Sequence, residues 1–236
     1  MLQFCSLIET AFANQSGAME AGTISKNGRI LKSQMSKMNI KTILVIFFLS
    51  CIINVSFAEK KVGSYSLNYF NKQYDIEASE IKNGKFSVYI QVSAERESTR
   101  AMIEVESEDI DDFIQFLLQM KEKYVEWTNV AKANNVTEMS KVMDFLSPST
   151  TICWRGSKWY FSFGQKLQPR FLILDNGGFV VSIYKQVTAS DNRYIDEKIY
   201  WFFSDAKEID KLIAELDIET IKAKLQVNEN ASDLFK

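Results

Sequence analysis

The chemistry open to this chain is narrowed first by a residue it lacks. No histidine occurs anywhere in its 236 residues. Ser-His-Asp and Cys-His relays, histidine-ligated zinc and imidazole proton shuttles are therefore excluded. The three cysteines, Cys5, Cys51 and Cys153, do not form a paired-cysteine zinc pattern. The sequence also has neither a phosphate-binding glycine loop nor a G-x-G-x-x-G stretch. The remaining polar chemistry rests on carboxylates, phenols, hydroxyls and amides.

Carboxylates are densest from Glu104 to Asp112 (EVESEDIDD). A calcium loop needs oxygen ligands at alternating positions, a central glycine and a distal glutamate. Asp109 and Asp111 alternate, but no glycine follows them. Strand alternation puts Glu104 and Glu106 on a solvent face. Asp109, Asp111 and Asp112 suit the start of a helix, where carboxylates favour the positive end of the dipole. Glycoside hydrolysis needs two carboxyl groups about 5–10 Å apart across a cleft. Sequence spacing alone identifies no such pair. No catalytic residue, metal ligand or cofactor is assigned.

The candidate site is a face of tyrosine, serine and glutamine. Opposite an apolar stripe, successive strands present Tyr89 and Gln91, Tyr160 and Ser162, Tyr184 and Gln186, and Tyr200, with Ser87 and Ser182 beside them. Tyrosine among small polar neighbours buries apolar area while offering a hydroxyl, at low entropic cost. Such a face suits a protein, peptide or glycan partner. The competing reading is a solvated sheet face, because tyrosine also has good strand propensity and forms cross-strand pairs. Asn135-Val136-Thr137 and Asn230-Ala231-Ser232 fit the glycosylation pattern, which matters only in a eukaryotic secretory route.

The elements that carry these residues follow from periodicity. Period-two alternation runs from Tyr65 to Ser107, with a hairpin signal at Asn83-Gly84. Phe86, Val88, Ile90 and Val92 point to one side of their strand. Ile110, Phe113, Ile114, Leu117, Leu118 and Tyr124 then recur at helical spacing, and Asn134-Asn135 ends that helix. Further strands are expected at 150–154, 159–163, 170–174, 179–187 and 199–203. A helix follows at 206–216, with another turn or helix at 219–225 and a frayed tail at 228–236. Trp159, Phe161 and Trp201 are expected in the core beside Phe86, Val88, Ile90, Val181 and Ile183, facing Phe113, Leu117, Leu212 and Leu216.

This pattern predicts an α+β domain in two layers, a curved antiparallel sheet with two main helices packed on one face. Both strand-to-helix junctions read I-D-x-[FL]-I-x-x-L. A duplicated βββα-type unit, with repeats at 65–133 and 142–225, is one explanation. The shared spacing of any helix packed on a sheet is the other.

The first 58 residues differ from the rest. Lys37 and Lys41 precede the uncharged apolar run Thr42–Ile53, and Ser56-Phe57-Ala58 follows with small residues at the cleavage positions. That order is the pattern of a signal peptide at 35–58, cut after Ala58. The run is short for a membrane span, which needs about 20 residues. Cys51 forms an imperfect lipoprotein box, so a lipid anchor there is the lesser alternative. Residues 1–34 read as an over-long start or an unstructured leader, with synthesis beginning at Met35 or Met38. Residues 59–236 form the single exported domain, periplasmic, at the cell surface or extracellular.

Without the first 58 residues, 23 basic and 28 acidic groups remain, a net of −5. This is not a nucleic-acid footprint. The lone Cys153 cannot form an internal disulfide, so the core must hold the domain together. The sequence thus points to a non-enzymatic binding or envelope-interaction module. A secreted, histidine-free hydrolase using a carboxylate pair is the alternative.

Overall fold

The computed structural model describes residues 60–233, with side chains described as far as Gln226. The leader and signal expectations at 1–34 and 35–58 lie outside the described residues. Ten strands are β1 (Lys60–Leu67), β2 (Lys72–Ala78), β3 (Ser87–Ala94), β4 (Arg100–Glu106), β5 (Met139–Val142), β6 (Thr150–Arg155), β7 (Trp159–Gln165), β8 (Pro169–Ile173), β9 (Phe179–Ala189) and β10 (Asn192–Phe203). Three helices are α1 (Ile110–Ala133), α2 (Ala206–Glu215) and α3 (Ile218–Asp233), and a 3-10 turn occupies Asn68–Phe70. Helix α3 runs past the expected turn at 219–225 and into the segment read as a frayed tail.

The fold is α+β, an antiparallel sheet in the order β5-β8-β9-β10-β3-β4-β6-β7, with the β1–β2 hairpin joining at β3. Four strands precede α1, and six more lie between α1 and α2. Strand β6 of the second half pairs with β4 of the first, and β7 pairs with β6.

Local chemistry sets the corners. Asn83 and Gly84 both take positive φ, 54° and 77°, and Lys82 and Lys85 exchange backbone hydrogen bonds across them. This two-residue turn has the hand that matches strand twist. In α1, Ile110, Phe113, Leu117, Met120 and Tyr124 are buried at helical spacing. Each large aliphatic or aromatic side chain so buried contributes about 1.5–3 kcal/mol. The helix stops where Asn135 turns left-handed and the Val136 N–H donates to the Ala131 carbonyl. Helix α2 starts in a capping box of Asp205 and Glu208.

Phe86, Val88, Ile90, Val181, Ile183 and Trp201 share one buried core with Phe113, Leu117, Leu212 and Leu216, as alternation predicts. Strand β7 is turned the other way. Tyr160 pairs with Trp154 and packs on the main core, whereas Trp159 and Phe161 join Tyr89, Met102 and Cys153 in a second apolar cluster. The cause lies in β6, whose Ile152 and Trp154 enter the main core and whose Cys153 takes the second cluster. Register then sends Tyr160 and Ser162 inward beside them. Both faces of β7 carry aromatic residues, so alternation does not mark the inner one.

The edge of β3 away from β4 is shared. Residues 88–90 pair with β2, and Ser93 and Ala94 pair with β10. Strands β2 and β10 therefore diverge at Gln91 and Val92, leaving a fork in the sheet.

Candidate functional site

Register brings two of the predicted tyrosines together. Tyr184 pairs with Tyr200 across β9 and β10, and Tyr200 pairs with Ser93 of β3. The Tyr184 and Tyr200 rings lie 5.4 Å apart. Two positions along β10, Phe202 stacks on Tyr200 at 6.4 Å and on Tyr69 of the 3-10 turn at 4.9 Å. Phe70 meets Phe202 edge-on at 5.4 Å. Tyr184 and Tyr69 are 51% and 46% exposed, with Tyr200 and Phe202 half-buried between them. These rings form a continuous aromatic shelf with accessible ends. Gln186, also exposed, lies opposite Lys198 beside it.

The turn bearing Tyr69 and Phe70 is fastened by a buried carboxylate. Glu208 accepts from the Asn68 N–H at 2.6 Å through Oε1, and from the Ser204 and Asp205 N–H groups at 2.7 and 3.2 Å through Oε2. It is 3% exposed. These three donors come from the turn and from the start of α2, where ladder bonds end. On the other side of the junction, the Tyr124 hydroxyl donates to the Ser204 carbonyl at 2.7 Å. Burial, with the Asp205 and Glu208 charges, holds that phenol above its ordinary pKa and hence neutral.

The shelf borders a groove of about 690 Å³ at the fork. Residues 91–94 of β3 make its floor. Phe70, Lys72 and Tyr74 line one side, Tyr200 the other, and Glu95 with residues 97–100, around the β3–β4 turn, close one end. Side chains complete the backbone bonding where the strands part. The Tyr65 hydroxyl donates to the Gln91 carbonyl at 2.6 Å, and the Asp75 N–H donates to Gln91 Oε1 at 3.1 Å. The Tyr74 and Ser93 hydroxyls meet at 2.5 Å. Burial pushes both the Tyr65 and the Tyr74 phenols up, so each stays protonated and able to donate. The turn is tied down by an ion pair between Glu95 and Lys198 at 2.5 Å and by the Glu95 N–H on the Lys198 carbonyl.

The other predicted residues stand apart. Gln91 is in the groove, but Tyr89 is buried in the second cluster, where its hydroxyl donates to Glu104 at 3.2 Å. Tyr160 is half-buried against Trp154 on the opposite face of the sheet. Ser162 is buried on that face and accepts from Gln165 Nε2 at 3.0 Å. The geometry thus gathers Gln91, Tyr184, Gln186 and Tyr200, and separates them from Tyr89, Tyr160 and Ser162.

Comparison with family models, curated proteins and solved structures gives no match for this chain.

Two carboxylates flank Tyr89 in register, Glu77 on β2 and Glu104 on β4. Glu77 is ion-paired with Arg100, whose guanidinium lies over the Trp159 ring. Burial raises the Glu104 carboxyl above its ordinary range, against the opposing hydrogen bonds of Ser87 and Tyr89. Neither carboxylate lines the groove at the fork. Among the described residues, no group of three or more acidic or cysteine side chains is arranged to hold a metal. Asp109, Asp111 and Asp112 instead occupy the start of α1.

Sequence reasoning missed Tyr69, Phe70, Tyr74, Ser93, Arg100 and Phe202. Phe202 had a usable signal, since parity places it on the same face as Tyr200. Tyr69 and Phe70 sit in a turn, where no period applies.

Proposed function

We propose that this domain is an exported, non-catalytic binding module. Its recognition surface is the aromatic shelf from Tyr184 through Tyr200 and Phe202 to Tyr69, together with the groove at the fork. The observation carrying this reading is the continuity of four rings, exposed at both ends, that runs alongside a groove of about 690 Å³. Contiguous aromatic area with a polar border is the usual anatomy of a recognition site. Export rests on the Lys37–Ala58 pattern, which directs the reading to a partner in the cell envelope or outside the cell.

The test has two parts. Expression from Met38 in an exporting bacterial host should give a product whose intact mass begins at Glu59. That product should retain components from an envelope fraction of the source cells, and Tyr184→Ala and Tyr200→Ala should lose them at an unchanged melting temperature. Undiminished retention by both variants overturns the site.

A histidine-free hydrolase is favoured by one observation, the raised carboxyl of Glu104 near Glu77. Raised acids are common at catalytic sites. That reading requires Glu104→Gln to abolish hydrolysis of glycosidic substrates.

A further inference from the structure

We infer that the groove at the fork takes a neutral saccharide segment, with the aromatic shelf as its platform. The inference rests on the binding reading above and names the ligand class of that same site.

The backbone at the fork argues first against an added peptide strand. Strand addition needs a sheet edge whose N–H and carbonyl groups await partners. Here the Gln91 carbonyl already accepts from Tyr65, and the Asp75 N–H is already held by the Gln91 side chain. At these two points the edge is closed by side chains. A ligand in the groove meets rings, hydroxyls and an amide in place of an open ladder.

Charge argues next against an ionic ligand. The walls carry two cations, Lys72 and Arg100, and two carboxylates, Glu95 and Glu97. Arg100 is ion-paired with Glu77, and Glu95 with Lys198. Lys72 lies over the Tyr74 ring at 5.2 Å. The formal charges of the walls cancel, so the site offers no net field to draw an anion or a cation.

The groups left to do the recognition are amphipathic. Ser93, Ser98 and Thr99 bring hydroxyls that both donate and accept, and Gln91 brings an amide. A polyol needs that two-way bonding from every hydroxyl it buries. Tyr200 and Phe70 supply ring faces for the apolar C–H side of a sugar. Beyond the groove, the rings of Tyr200, Phe202 and Tyr69 and of Tyr184 follow at spacings of 6.4, 4.9 and 5.4 Å. This continuous run of rings fits a chain of sugar units better than a single ring.

The purified exported chain, probed on a printed array of neutral, acidic and basic glycans, tests the inference. Cellohexaose, maltohexaose and chitohexaose are titrated in solution by calorimetry alongside a proline-rich peptide. Binding to at least one neutral glycan is expected. Tyr184→Ala and Tyr200→Ala should each weaken it about tenfold, the scale of removing an aromatic anchor. Tyr200→Phe, which keeps the ring, should retain most of the affinity and guards against misfolding of the alanine variant. Affinity should change by less than about twofold between 0.01 M and 1 M salt, over which the screening length falls from about 30 Å to about 3 Å. Binding confined to charged glycans, or neutral binding untouched by both alanine variants, overturns the inference. If no neutral glycan binds but peptide capture depends on Tyr184 and Tyr200, the saccharide inference falls and the binding module stands. If neither glycan nor envelope capture depends on them, both fall.

Discussion

Replacing Glu208 by glutamine tests how the aromatic shelf is held. The swap preserves size but turns one of two accepting oxygens into a donor. In the native chain, Oε1 serves the Asn68 N–H, and Oε2 serves the Ser204 and Asp205 N–H groups. A glutamine oriented to keep the latter two points its amide N–H at the N–H of Asn68. One charge-assisted bond is lost and two donors face each other. A hydrogen bond to a charged group contributes about 1.5–3 kcal/mol, so the expected loss is about 2 kcal/mol. Asp205→Ala removes the side-chain cap on the Lys207 and Glu208 N–H groups but leaves the Glu208 carboxylate in place, and it serves as the control at about 1 kcal/mol. Urea unfolding should show a lower midpoint at unchanged slope, the mark of altered stability with a native state of the same extent. Hydrogen exchange should quicken at Asn68 and its neighbours before it does in α1. A loss below about 0.5 kcal/mol, or one no greater than that of Asp205→Ala, would refute the clamp.

Other consequences are open to measurement. Tyr65→Phe should cost about 1–2 kcal/mol by leaving the Gln91 carbonyl short of a donor, and more than Tyr74→Phe, whose partner Ser93 lines the groove; the reverse order in denaturant melts would put the fork's support elsewhere. Phe203→Ala, in the main core, should cost about 3–5 kcal/mol, and Phe161→Ala, half-buried in the second cluster, clearly less; equal losses would return β7 to the face that alternation predicts. Glu104 is held above its usual pKa in the fold, so its contribution is fully present below the unfolded value of about 4.3 and is lost as pH rises through the folded value. Glu104→Gln should therefore be relatively more stable at neutral pH than at about pH 4, and a flat difference across that range in pH-dependent melts would contradict this assignment.

Local signals in the sequence were enough for the Asn83-Gly84 corner and for helices α1 and α2. Asn83-Gly84 specifies its turn through residues tolerant of positive φ, and the spacing of Phe113, Leu117 and Tyr124 specifies the buried face of α1. The hairpin that pairs Tyr184 with Tyr200 was not read, because β10 begins at Asn192, well before the strand expected at 199–203. What else escaped was non-local. The face of β7 depends on how Trp154 of β6 is seated, because Trp159 and Tyr160 both suit burial. Tyr69 and Phe70 reach the site through a carboxylate 140 residues away from Asn68, a link that no period encodes. Strand β5, four residues with an exposed middle, carries too little pattern to be read at all.

The shared edge of β3 also governs the order in which this chain can complete itself. The β3–β4 and β1–β2 hairpins close over short loops, which is fast. The pairing of Ser93 with Tyr200 must wait for almost the whole domain to emerge. A chain threaded outward from its N-terminus therefore holds half an edge of β3 bare until its tenth strand arrives. A bare edge is a template for pairing with another molecule. During that interval the Tyr65 hydroxyl can hold the Gln91 carbonyl and the Gln91 amide the Asp75 N–H, so the edge beside the bare stretch is already bonded. The fork is thus a device of assembly as well as a boundary of the groove: the hairpin that walls it also covers part of the edge that is completed last.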